Sequence, residues 1–195
     1  MADLPYVAIG FFVTERRQIF QVNAMRFVGV SLALALAFAG VAQARAGAPK
    51  AAVFDFELID TSLDGEMNGK RADEQARLGR AGDQLRKGLA DSGKFVILDI
   101  GPVEADARAA NLQSCGGCDV DLAKKLGADL SITATVQKVS NLILNMNVYI
   151  HDAHTGKLVT SMSADFRSNT DESWTRTVSY LLRNRLLEPN YGAPQ

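Results

Sequence analysis

The chain holds two cysteines, Cys115 and Cys118, in the stretch Gln113-Ser114-Cys115-Gly116-Gly117-Cys118-Asp119-Val120. Cysteines at this spacing can form a disulfide clip, act as a redox dithiol, or supply half of a metal site. Two intervening glycines let so small a ring close. A C-x-x-C pair just ahead of a helix also fits thiol chemistry, because a helix amino terminus stabilises a thiolate. Three features weigh against that chemistry. Asp119 beside Cys118 disfavours a thiolate electrostatically, and a short helix rather than a long first strand precedes the motif. No proline stands between Pro102 and Pro189 to supply the proline loop of thioredoxin-like sites. Haem attachment requires histidine where Asp119 stands, and zinc requires further ligands.

Other candidates are weaker in pattern. Asp60-Thr61-Ser62-Leu63-Asp64-Gly65-Glu66 places oxygens at alternate positions and glycine sixth, as a calcium loop does. The twelfth position is Arg71 instead of a bidentate glutamate, and a strand precedes the loop, so a solvated polar loop is expected. His151 and His154 flank a turn in which Asp152 and Gly156 suffice to explain the residue types, and no acidic or cysteine partner can be assigned to them from sequence. No phosphate loop, G-x-S-x-G or H-E-x-x-H occurs. The remaining candidate is a surface. Thr133, Thr135 and Gln137, then Asn145, Asn147 and Tyr149, then Ser161, Ser163 and Asp165 alternate with apolar residues along three successive segments. If those segments pair in order, the polar residues share one face. An antiparallel sheet wet on one side explains this, and so does a hydrogen-bonding surface for a partner or ligand.

The elements that position these residues follow from periodicity. Lys50 to Leu58 alternates Ala52, Phe54, Phe56 and Leu58 against Val53, Asp55 and Glu57, a strand. A polar loop follows, then a helix over about Asp73 to Ser92 with Leu78, Ala81, Leu85 and Leu89 on one stripe. Phe95 to Ile100 reads as a covered strand, Val103 to Leu112 as a short helix, and Asp119 to Leu126 as a second helix stopped by Gly127. Three strands are expected over Asp129–Ser140, Leu142–Ile150 and Leu158–Phe166, the last with Leu158, Met162, Ala164 and Phe166 inward. Asn169 and Glu172 form a capping pair for a final helix with Trp174, Val178, Leu181, Leu182 and Leu186 on its apolar face. The order β-α-β-(α)-α-β-β-β-α predicts a single α/β (α+β mixed) domain over 50–188, with a five-stranded mixed sheet and helices packed on it.

Compartment is read from Met25 to Ala48. Arg26 precedes an uncharged apolar run from Phe27 to Ala42, and A-x-A sites follow. This is the layout of a signal peptide, assigned to 25–46. An uncleaved anchor is the alternative, although the run is short for a span of about 20 residues. Residues 1–24 read as a mis-called extension ahead of Met25, and 189–195 as a flexible tail. The mature protein is expected to be exported, soluble and periplasmic, without a membrane span. An oxidising compartment favours the disulfide reading of Cys115 and Cys118. A formal net charge of −1 gives no general attraction to nucleic acid.

The strand AAVFDFEL, the segment DSGKFVILD, the phrase LAKKLGADLSITATVQKVSN, the hairpin NVYIHDAHTGKLV and the closing helix follow an order with a known counterpart. It resembles the amino-terminal α/β domain of the TolB translocation protein and the related domain of the curli-secretion lipoprotein. FDFELIDTS, the cysteine pair and NTDESW also look like a group of exported proteobacterial proteins known as a domain of unknown function. Such proteins stand near genes for periplasmic quinoprotein alcohol oxidation, which implies an accessory role and carries over no catalytic residue. The lipid-attachment cysteine and propeller of the better-known relatives have no counterpart in this pattern. The expectation is a non-enzymatic periplasmic accessory or binding protein without cofactor or metal. It would meet a periplasmic protein partner through its sheet face or a strand edge, in quinoprotein alcohol oxidation or envelope assembly. The alternatives are a thiol-disulfide oxidoreductase using the CGGC pair and a periplasmic metal-binding protein.

Overall fold

A computed structural model describes residues 47–188. The expected extension 1–24, the signal 25–46 and the tail 189–195 lie outside the described residues. Strand β1 (Lys50–Asp60) is followed by helix α1 (Leu63–Asn68), α2 (Ala72–Asp91) and strand β2 (Val96–Leu98). A 3-10 turn at Gly101–Val103 leads into α3 (Glu104–Ala109), and α4 (Cys118–Lys125) precedes β3 (Leu130–Lys138), β4 (Ile143–Asp152) and β5 (Leu158–Arg167). Helix α5 (Asp171–Leu181) continues through a π-helical turn at Leu182–Leu186. The strands form one mixed five-stranded sheet, as the sequence order predicts, and the structure arranges them β2-β1-β3-β4-β5. β2 and β3 run parallel to β1, while β3, β4 and β5 form an antiparallel meander.

The connections explain the layers. The chain moves from β1 to β2 in one direction across the sheet and from β2 to β3 in the other. Right-handed crossovers therefore put α2 on one face and α3 with α4 on the opposite face. The larger core lies under α2 and α5. Leu78, Ala81, Leu85 and Leu89 of α2 and Trp174, Val178 and Leu181 of α5 pack on Val53, Ile132, Val136, Met146, Val148 and Ile150. Each fully buried leucine or valine there contributes about 1.5–3 kcal/mol. The smaller core joins Ala52 and Phe54 of β1 to Val103, Ala107, Leu122 and Ala123, and it contains no residue of β5.

Two bulges revise the expected alternation. The β1–β3 register slips between Val53 and Phe56. Ala51 and Val53 face the larger core before the slip and Phe56 faces it afterwards, while Ala52 and Phe54 point to the other side. The four residues expected on one face are thus divided between two cores, because one extra residue inverts the pleat. A second slip, between Ile150 and His151, sets Leu158 opposite His151 rather than inward with Met162 and Phe166. Leu158 is consequently exposed.

Other boundaries also differ. The stretch expected to be loop contains α1, capped by the Ser62 hydroxyl, which accepts from the Gly65 N–H at 3.0 Å. β2 is three residues long and Val96 is exposed, so it is not covered on both faces. α4 begins at Cys118. α5 is capped by Thr170, whose hydroxyl accepts from the Ser173 N–H, instead of by an Asn169–Glu172 pair. Asn169 is drawn away by a buried partner described below.

Candidate functional site

The register places the polar residues of the meander side by side. One row runs Gln137–Asn145–Asp165, the next Thr135–Asn147–Ser163, and the third Thr133–Tyr149–Ser161. All lie opposite the larger core, since the alternate residues Ala134, Val136, Met146, Val148 and Ile150 are buried in it. The helices α3 and α4 cover the β1 side of this face and leave β4 and β5 open, so Asn145, Asn147 and Tyr149 are half-buried and Ser161, Ser163 and Asp165 exposed. The Asn145 amide donates to Asp165 at 2.7 Å. Thr133 and Thr135 are only 2% exposed, and Thr133 accepts from the Gln113 amide at 2.9 Å. These two threonines support the face from below rather than present hydrogen bonds from it.

Three apolar side chains frame the polar rows. Ile59 follows the β1 bulge and stands opposite Gln137, Ile143 lies beyond Asn145, and Leu158 lies beyond Ser161. All three are exposed. The open face is therefore a hydrogen-bonding field with apolar corners.

At one end stands the cysteine motif. Cys115 and Cys118 are joined as a disulfide with their Cα atoms 5.7 Å apart. Gly116 and Gly117 adopt φ of 71° and 112°, a conformation that only glycine reaches cheaply. Asp119, in the first turn of α4, is buried and accepts from the Ser131 hydroxyl at 2.8 Å. His151 meets the same Asp119 oxygen through Nδ1 at 3.0 Å. With Nδ1–H donating to the carboxylate, Nε2 is the ring atom left for a ligand. His154 pairs separately with Asp129 at 3.2 Å. Both histidines thus have acidic partners that sequence could not assign, on different elements, so the H-x-x-H spacing does not act as one unit. Among the described residues no group of three or more His, Cys, Asp or Glu is suited to a metal.

At the other end lies an ionic cluster that the sequence reading missed. Lys138 is fully buried, and its ammonium donates to Glu74 at 2.7 Å, Asp60 at 3.1 Å and Asp64 at 3.3 Å. The Asp60 loop is therefore not a solvated polar loop: its carboxylates close around a lysine, which occupies the position a cation would take. Burial works against the charge of Lys138, but the hydrogen bonds its ammonium donates to Glu74, Asp60 and Asp64 outweigh it and hold the pKa above the usual lysine value. Asp60 is opposed by its own burial, yet the Ser62 hydroxyl and N–H, with Lys138, bring it below the usual carboxylate range. The Asn68 amide and Lys138 lower Asp64 likewise. Asn169 donates to Glu74 at 2.6 Å and accepts from the Trp174 indole at 2.9 Å, tying α5 to the cluster. Periodicity carried the signal. Lys138 is the next inward position after Val136, and Glu74 precedes Leu78 by four on the apolar stripe of α2, so a cation and an anion were each due in the core.

No curated protein matches the sequence at a significant level. Among solved structures the chain is similar to the C-terminal domain of LpoB from Salmonella enterica, at 15% identity and a TM-score of 0.46, over 61% of this chain and 82% of that one. It is similar to the PelC dodecamer subunit from Paraburkholderia phytofirmans at 13% identity and a TM-score of 0.42, covering 70% and 86%. TolB from Acinetobacter baumannii is matched at 11% identity and a TM-score of 0.38, over 70% of this chain and 28% of that one. At these scores the likeness carries no functional conclusion. The family comparison is more decisive, since its match spans both cores and every strand of the sheet. Residues 49–186 match the family model DUF3280, described as protein of unknown function (DUF2380), and the chain belongs to that family.

Proposed function

We propose that this protein is a non-enzymatic periplasmic accessory or binding protein that holds a partner protein on the open face of β4 and β5. The observation that carries this reading is the face itself. Gln137, Asn145, Asn147, Tyr149, Ser161 and Ser163 stand in register with no helix of the described residues over them, and exposed Ile59, Ile143 and Leu158 stand at the corners. A face serving only solvation has no need of those three apolar residues, whereas a polar field with apolar anchors is the ordinary make-up of a non-obligate interface. The partner belongs to a quinoprotein alcohol oxidation system or to envelope assembly. In the test, the tagged mature protein is cross-linked in the periplasm of its native host and recovered gently. Lysine at Asn145 or Asn147 is expected to reduce the recovered partner roughly tenfold at unchanged melting temperature. Recovery of free monomer alone from the unsubstituted protein counts against the proposal.

A second reading rests on the exposed Cys115 and on Cys118 in the first turn of α4, a placement that stabilises a thiolate. It makes the pair a thiol-disulfide oxidoreductase centre. A reduction potential well below the range of known oxidoreductases, together with no insulin reduction, removes it.

A further inference from the structure

The sheet has a second open feature, at the edge of β1. β2 pairs only with Lys50, Ala51 and Ala52, while β1 runs on to Asp60 with β3 on its other side. Among the described residues, the side of β1 that faces away from β3 therefore has no neighbouring strand from Val53 onward. The Val53 carbonyl there accepts from the Arg86 guanidinium at 3.1 Å. Beyond the bulge, Thr61 donates its N–H to Lys138 of β3. Backbone direction alternates along a strand, so the N–H and C=O groups of Phe56 and Leu58 point away from β3. They open into a cleft of about 790 Å³ walled by the start of α2 on one side and by α3 on the other. From Phe56 to Asp60 the edge offers about 16 Å of strand at roughly 3.3 Å per residue.

The α2 wall has an independent mark. Gly79 lines this cleft inside a 20-residue helix, where glycine is less favourable than alanine. Its φ is not left-handed, and a Cβ there would meet nothing within 4 Å. Gly82 and Gly88 of the same helix have reasons inside the fold, Cβ atoms there meeting Arg86 at 3.2 Å and Leu182 at 2.5 Å. Gly79 keeps open a wall that no other described residue approaches within 4 Å of a Cβ position, which leaves room for another backbone. The lining carries both signs of charge: Lys70 and Arg108 stand at its walls, Arg108 held by Glu104 and Asp55, while a carboxylate marks the strand itself. Glu57 projects at the middle of the edge with one carboxylate oxygen on the Leu112 N–H at 2.8 Å, leaving the other for a ligand.

We propose that the cleft takes an extended segment of a partner protein, added as a strand to β1, with a lysine or arginine of that segment on Glu57. Main chain is the chemistry that satisfies alternating N–H and C=O groups along an edge between two walls. The proposal goes beyond the open-face reading, since the cleft lies on the side of β1 away from the meander and shares with the residues named for that face Ile59 alone. The probe is a displayed library of random octapeptides panned on the mature protein, with Gly79→Trp as the counter-selection. Peptides enriched on the unsubstituted protein are expected to alternate β-branched residues around a lysine or arginine. A synthetic representative should lose binding at least roughly tenfold in three cases: alternate N-methylation, glutamate in place of its basic residue, or the protein variant Gly79→Trp. Glu57→Lys should reverse the charge preference. Melting curves establish that both variants remain folded, and Asn147→Lys should leave peptide binding intact, which separates this site from the open face. No enrichment over Gly79→Trp, or equal binding of the N-methylated peptide, overturns the proposal. So does a dimer of the unsubstituted protein that Gly79→Trp converts to monomer, which would assign the edge to a second copy of the chain.

Discussion

Lys138 shows how one residue can hold an end of this molecule together. Its ammonium is the common partner of Glu74, Asp60 and Asp64, and Glu74 is buried with its Oε2 lacking a partner. Removing the cation leaves carboxylates facing one another, so Lys138→Met is expected to cost about 3–5 kcal/mol. Because Glu74 then has no counter-charge, Lys138→Met with Glu74→Leu should recover much of that loss. Urea unfolding followed by the fluorescence of Trp174 measures both. The pH dependence has two limbs. Asp60 and Asp64 are held below the ordinary carboxylate value, and Asp73, hydrogen-bonded by Arg71, is brought down to about 2. Their contribution is complete above the unfolded carboxylate values and is lost as pH falls through the lowered folded ones. The raised Lys138 contributes below its unfolded value of 10.5 and loses that contribution as pH climbs through the folded one. Melting temperature should therefore form a plateau, fall below about pH 4, and fall again above about pH 10. In Lys138→Met the alkaline decline should shrink.

At the scale of elements, glycine placement and the disulfide give opposed expectations. Gly79→Ala should stabilise by about 0.5–1 kcal/mol, since the helix gains propensity and the new Cβ meets open space. Gly88→Ala sets its Cβ against the buried Leu182 and should destabilise by about 1–3 kcal/mol. Thermal melts of the two variants compare the signs directly. The Cys115–Cys118 ring spans three positions, and so short a loop restricts the unfolded chain little. Cys115→Ser with Cys118→Ser should cost no more than about 2 kcal/mol and act mainly on the start of α4, as hydrogen exchange of the α4 amides would report. Element identities were legible because the larger core demands a stripe on α2 and alternation on β3 and β4. The two bulges were not legible. An inserted residue leaves composition unchanged, and its effect, the inversion of the pleat at Phe54 and Val159, exists only relative to the neighbouring strand. α1 was missed because none of its residues is buried, so it carries no apolar periodicity.

Among the described residues, the sheet is closed by helices over β1 to β3 and open in two places, the β4–β5 face and the β1 edge. The edge has a consequence that needs no partner. In the free protein the amides of Phe56 and Leu58 should exchange with solvent faster than those of Glu57 and Ile59, which face β3. Residue-resolved exchange by NMR tests this, and uniform protection of the four would show the edge to be covered.

Fold class, strand count and the assignment of a polar side to the meander were all determined by the sequence. Each follows from local periodicity and from the handedness of chain connections, which act over a few residues at a time. The Cys115–Cys118 pairing was legible for the same reason, since both partners lie within one turn. What the tertiary structure decided was which distant residues share a place. Lys138 meets Glu74 across 64 positions, His151 meets Asp119 across 32, and β2 stops after three residues, leaving the β1 edge without a strand beside it. Those outcomes depend on register and on the competition of several elements for the same buried volume, and no stretch of sequence contains them alone.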